Sequence, residues 1–211
     1  LTIEPEILLA DTTKTELMNS FKMVSSYTTT TTKNSNRNTN IELSASAING
    51  TTVMPGETFS FNDTTGKRTV EKGYKEAVAI SGGQNVPDVG GQTSSTLFNA
   101  VARANLEIVY RSPHAWPSSY VEKGMDATVN WPNLDFKFRN NTDYPVFIVS
   151  YYAKQKVTVE IYGVGLQDGM TIDLQSVVTK TIPAPEGTKY VQNTNLPAGT
   201  QKDTVKARTG Y

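Results

Sequence analysis

Val146-Phe147-Ile148-Val149-Ser150-Tyr151-Tyr152, turn residues at Lys154-Gln155, and then Lys156-Val157-Thr158-Val159-Glu160-Ile161-Tyr162 decide the fold class. Both runs are rich in β-branched and aromatic residues, the composition that strands favour. Working back from them, further β signals fall at Asp135 to Arg139, Ala127 to Asn130 and Ala77 to Ile80, with Asn140-Asn141 and Gly82-Gly83 as intervening turns. Pro55-Gly56 leads into Thr58-Phe59-Ser60-Phe61, where alternation puts Phe59 and Phe61 on one face. Ser25 to Thr32 reads as a threonine-rich strand, and Lys33 to Asn40 as a polar loop. One long helix stands among these strands, from about Ser94 to Tyr110, on the apolar stripe Leu97, Val101, Ala104 and Ile108. Shorter helices are expected within Asp11 to Met23, with Leu17, Phe21 and Val24 on one side, and from Asn40 to a stop at Asn49-Gly50. The class is therefore α+β, mainly antiparallel sheet with one long helix and a few short ones, plus a C-terminal all-β extension. Residues 1–20 read as a lead-in and 21–163 as the main domain. Residues 164–211, punctuated by Pro183, Pro185, Gly187, Pro197, Gly199 and Gly210, read as a truncated β module.

Composition narrows the chemistry. Over 211 residues, twenty basic side chains balance twenty acidic ones, so no overall field gathers nucleic acid. With no cysteine and one histidine, disulfides are excluded and soft ligands are too few for zinc or iron–sulfur; no metal or other cofactor is expected. No apolar run reaches the roughly 20 residues of a membrane helix, so an anchor or export signal would lie outside this chain.

The candidate site runs from Pro87 to Tyr120. In Val89-Gly90-Gly91-Gln92-Thr93-Ser94-Ser95 a glycine pair precedes the helix, and Thr93 or Ser94 is the natural N-cap. Free N–H groups and the positive end of the helix dipole suit that turn to anions and oxyanions, although an ordinary capped helix has the same sequence. Arg111-Ser112-Pro113-His114-Ala115-Trp116-Pro117-Ser118-Ser119-Tyr120 follows, with the chain's one histidine held between two prolines. Histidine suits proton transfer near neutral pH, and a satisfied core or surface histidine is the alternative. A helix of the expected length is about 25 Å long, so the loop must fold back for His114 to reach the glycines.

These segments, with Pro55 to Asn62, Lys67-Arg68-Thr69-Val70-Glu71-Lys72-Gly73-Tyr74, Ser94 to Ala100, Gly124 to Val129 and Leu134 to Thr142, resemble the VanW family of bacterial cell-envelope proteins. The tail from Gln175 looks like the first half of a small glycine-punctuated β domain that often accompanies cell-wall proteins. In the family the turn reads approximately Gly-Gly-Gly-Ile-Cys-Gln, and its cysteine is the natural nucleophile. Here Gly91 runs straight into Gln92, and about three residues including the cysteine are absent. A natural deletion, an engineered removal, or a loop of the parent protein missing from this sequence would each produce that junction; the ordered match on both sides favours the last. The resemblance implies an extracytoplasmic cell-wall role and L,D-transpeptidase chemistry, acyl transfer between peptidoglycan stem peptides. It implies His114 as base, Gln92 and Ser94 as positioning groups, Gly90 and Gly91 as oxyanion donors, and Arg68, Arg111 or Tyr120 as contacts to stem carboxylates. Ser94 or Ser95 activated by His114 is a weaker catalytic idea, and a non-catalytic peptidoglycan-binding or scaffolding module is the rival.

Overall fold

The computed structural model describes residues 14–78, 85–86, 90–166, 170–192, 194–202 and 209–210. The chain divides into two compact units, Leu1–Leu174 and Gln175–Tyr211.

The first unit is built on a four-stranded antiparallel sheet of β1 (Phe21–Thr30), β9 (Lys156–Val164), β8 (Val146–Ala153) and β2 (Thr52–Val53), in that order. The β8–β9 hairpin turns through Lys154 and Gln155, at φ 50° and 60°. Positive φ at both positions matches the twist of the flanking strands. In β9 the alternate residues Val157, Val159 and Ile161 are fully buried. Against this sheet lie α2 (Ser35–Ile48), packed on β8, and α4 (Gly91–Arg103), packed on β1 and β9.

A second sheet, β3 (Thr58–Ser60), β7 (Lys137–Arg139) and β6 (Glu107–Tyr110), adds Phe59 stacked on Phe138 at 5.1 Å to the same core. The short helix α3 (Phe61–Thr65) follows β3, and β4 (Ala77–Val78) pairs with β5 (Asn85–Val86). The fold is α+β with mainly antiparallel sheets. In the second unit, Ile182 and Gly210 form an antiparallel bridge.

Several boundaries differ from the sequence reading. Residues 35–40 are helix rather than loop, because the Asn34 side chain caps α2 by accepting from the Arg37 N–H. The lead-in helix is α1 (Lys14–Ser20), and Phe21 and Val24 belong instead to β1, whose register with β9 begins at Phe21. Phe61 opens α3 rather than ending a strand, since the Ser60 hydroxyl accepts from the Asp63 N–H. Ala127 to Asn130 is not a strand and contributes the single bridge Asn130–Leu134. The expected Gly82-Gly83 turn lies outside the described residues.

The largest correction concerns the long helix. α4 starts at Gly91, with Gly90 as its N-cap and no side-chain cap, so Thr93 and Ser94 are inside the helix. It ends at Arg103, because Asn105 adopts φ 59°. Asparagine tolerates that left-handed conformation far better than branched residues. Leu106 onward reverses direction, and Ile108 pairs with Phe138 in β6 rather than extending the helical stripe.

Candidate functional site at the start of α4

The shortened helix explains how the histidine loop returns. Thirteen residues of α4 rise about 20 Å, and β6 then brings the chain back toward the helix start. The loop is fastened there by the Thr128 N–H to the Ser112 carbonyl at 2.8 Å. Arg111 Nη1 adds bonds to the carbonyls of Gly124 and Asp126 at 2.7 and 2.6 Å, and its guanidinium lies 5.0 Å over the Phe98 ring. Arg111 therefore holds two ends of the loop together.

Inside this frame His114 Nδ1 lies 2.6 Å from Asp126 Oδ2, which also accepts the His114 backbone N–H. The two side chains are only 10% and 8% exposed, so the pair is shielded from water. Burial pushes the Asp126 carboxyl up, but the hydrogen bonds from the His114 ring and backbone outweigh it and hold the carboxyl below its ordinary value. A carboxylate at Nδ1 places the proton of the neutral ring there and leaves Nε2 as the free lone pair. That nitrogen is 2.7 Å from where a Cβ on Gly91 would stand, and the Tyr120 hydroxyl is 3.7 Å from the same point. The His114 and Tyr120 rings meet edge to face at 6.3 Å. Burial pushes the Tyr120 phenol up to about 12, so it remains a neutral donor.

The remaining sequence-derived residues fall into supporting positions. Gln92 is buried; its amide nitrogen donates to Thr29 Oγ1 and the Thr30 carbonyl at 3.1 and 3.0 Å, and its oxygen accepts from Arg37 Nη2 at 3.1 Å. Ser94 and Ser95 are fully buried, and both hydroxyls donate to the Gly91 and Ala127 carbonyls. Ser95 Oγ also accepts the Ala127 N–H, and neither hydroxyl is bonded to His114. Arg68 is 1% exposed, with its Nη1 on Asn62 Oδ1 and Thr65 Oγ1 and its Nε 3.3 Å from the Cβ position of Gly90. It braces the turn from below. Pro87 to Val89 lie outside the described residues.

Two site residues were not singled out by sequence reasoning. Asp126 sits in the Gly124 to Val129 run, and its pairing with His114 spans twelve positions with no periodicity to betray it. Arg37 lay in the segment read as loop. Among the described residues no group of three His, Cys, Asp or Glu side chains converges to hold a metal.

The residue immediately before Gln92, where the related pattern has its cysteine, is Gly91. It forms the first turn of a continuous helix with Gln92, so no loop separates the two within this chain. The cysteine expected between them is absent, and the position nearest the histidine carries no side chain.

The family described as VanW like protein matches residues 36–162. An uncharacterized protein of Bacillus subtilis, YoaR, is 51% identical over 111 residues, 51% of this chain and 37% of its own length. The vancomycin B-type resistance protein VanW of Enterococcus faecalis is 34% identical over 130 residues, 58% of this chain and 47% of its own length. The chain thus spans less than half of either relative. No solved structure matches. The ordered motifs, the helix with its facing histidine, and a family match over more than half the chain lead to one conclusion: this chain belongs to the VanW family.

Proposed function

We propose that this domain works at the bacterial cell envelope, facing the wall, and recognises peptidoglycan stem peptides at the start of α4. In this reading the site is the acid–base half of an L,D-transpeptidase-type acyl-transfer centre without its nucleophile. As its sequence stands, the domain binds rather than cross-links. The observation that carries this is the His114–Asp126 pair, whose free Nε2 faces the bare Cα of Gly91. A buried, carboxylate-oriented imidazole beside a helix N-terminus suits proton transfer to and from a nucleophile at that point. Among the described residues no such nucleophile is in place: the hydroxyls of Ser94 and Ser95 are committed to main-chain carbonyls. The resistance to vancomycin named for the E. faecalis relative supports an envelope role for this chain.

The test is direct binding of a stem tetrapeptide by calorimetry, with intact-mass analysis of the same mixture. Saturable binding without a covalent adduct is expected. No binding would sink the recognition reading, while an acyl adduct on the unaltered chain would show a nucleophile that this reading denies. The catalytic reading keeps its base and orienting carboxylate, and it predicts that a thiol supplied at Gly91 becomes acylated by the donor peptide.

A further inference from the structure

Four arginines lie on or around α4, and three are already engaged. Arg68 is buried on Asn62 and Thr65, Arg111 is bonded to two carbonyls, and Arg103 holds Asn99 and pairs with Asp173. Arg37 has the lightest set of acceptors of the four. Its Nη2 reaches only the neutral amide oxygen of Gln92, and its Nε is buried with no hydrogen-bond partner. Among the described residues no carboxylate pairs with it. A buried N–H without an acceptor costs free energy, and a ligand oxygen is one group that can supply the acceptor.

The side chain is nonetheless held in place. Asn34 caps the first turn of α2 through the Arg37 N–H, the guanidinium lies 5.6 Å from the centre of the Tyr120 ring, and Gln92 is fixed by its two bonds to β1. The amide orientation follows from those bonds: with its nitrogen donating to Thr29 and Thr30, the Gln92 oxygen must face Arg37. A second donor belongs to the same ring that the guanidinium covers. The Tyr120 hydroxyl is buried beside the Ser95 and Ser118 hydroxyls, and it stands 3.7 Å from the open position on Gly91. The start of α4, uncapped by any side chain, completes the cluster.

We propose that Arg37 is the carboxylate-binding residue of this site, receiving a carboxylate of the bound peptide together with the Tyr120 hydroxyl and the first N–H groups of α4. The planar guanidinium fork matches a carboxylate in geometry and charge. The inference rests on the stem-peptide reading for the identity of the ligand, while the carboxylate site stands on the geometry alone.

The experiment measures affinity of the full chain for three probes: a stem tetrapeptide, the same peptide with its carboxylates amidated, and N-acetyl-D-alanine. Arg37→Gln and Arg37→Lys are compared with the unaltered protein. Amidation and Arg37→Gln are each expected to weaken tetrapeptide binding about 10- to 100-fold, the range of a charge-assisted contact, and their combination to weaken it no further. Arg37→Lys recovers part of the loss, and the Arg37 Nε–H resonance shifts when N-acetyl-D-alanine binds. Equal binding by Arg37→Gln, or an equal loss for acid and amide, overturns the proposal. If the tetrapeptide fails to bind while N-acetyl-D-alanine binds in an Arg37-dependent way, the carboxylate site stands and the peptidoglycan reading falls. If none of the probes binds, both fall.

Discussion

Replacing Gly91 by cysteine is the perturbation that interrogates the site most directly. A Cβ there stands 2.7 Å from His114 Nε2 and 3.3 Å from Cε1, closer than a relaxed contact, so the ring must retreat by on the order of 1 Å. Because His114 is tied to Asp126 at 2.6 Å, that movement stretches a real bond. Overpacking of this kind costs about 1 to 3 kcal/mol, offset in part by the roughly 0.5 to 1 kcal/mol gained when a helical glycine is replaced. The new thiol then faces an imidazole and the positive end of α4. Transfer of the thiol proton to Nε2 would give a thiolate–imidazolium pair, and a unit charge pair about 4 Å apart in a partly screened site is worth up to ~4 kcal/mol, or about 3 pKa units. The helix terminus adds roughly 0.3 to 1 kcal/mol in the same direction. Allowing for the displaced ring, the thiol should titrate about 2 units below its usual ~8.5. The assay is the pH dependence of iodoacetamide alkylation followed by intact mass, repeated with His114→Gln in the same background, where most of the depression should vanish. A thiol that titrates near its ordinary value and ignores the His114 change refutes the claim that Nε2 is aimed at this position.

Other consequences follow from the same contacts. Asp126→Asn removes the charge from the contacts to the His114 ring and backbone and should destabilise the protein by about 1.5 to 3 kcal/mol near neutral pH in urea titrations. Since the Asp126 carboxyl is held below its ordinary value, its contribution is present above the unfolded value and is lost as pH falls through the folded one. The stability gap between Asp126→Asn and the unaltered protein should therefore begin to narrow below about pH 4 and keep closing as pH falls further, and a gap that stays constant throughout argues against the pairing. Tyr120 works in the opposite direction: with its phenol at about 12 instead of 10.0, the fold keeps a proton that the unfolded chain releases. Stability should fall as pH rises from 10 toward 12, and Tyr120→Phe should flatten that decline in alkaline denaturation curves. Arg68→Ala strips a buried cation from Asn62 and Thr65 beneath Gly90 and should cost about 2 to 4 kcal/mol by chemical unfolding, whereas a change below 0.5 kcal/mol would place Arg68 among dispensable surface groups.

Much of the architecture was legible because local chemistry and tertiary demand agree. The Lys154-Gln155 turn, the strands on either side of it and the stop at Asn49 needed only short-range signals. The start and the end of α4 escape a sequence reading for different reasons. The residues Gln92 to Thr96 are polar yet buried, and hydrophobic periodicity does not register polar groups that are satisfied by main-chain carbonyls, whether in the same helix or far along the chain. Ser25 Oγ donates to the Ala100 carbonyl, and the hydroxyls of Thr29 and Thr96 share a bond, so the face of α4 toward β1 is partly a hydrogen-bonded one. At the other end, Ile108 continued the apolar stripe in sequence, but the left-handed Asn105 ends the helix and pairing with Phe138 claims Ile108 for a strand.

The sequence by itself determined the fold class and the family and pointed to the two segments of the candidate site, because each rests on residues close together in the chain. Only the tertiary structure decided which groups meet there. It joined His114 to Asp126, aimed Nε2 at Gly91, drew Arg68 and Arg111 into bracing positions and left Arg37 with an unbonded N–H beside them. Those outcomes depend on directions in space, set by where α4 stops and how β6 returns. The same arginine or histidine is a brace or a functional group according to which acceptors the folded chain leaves within its reach.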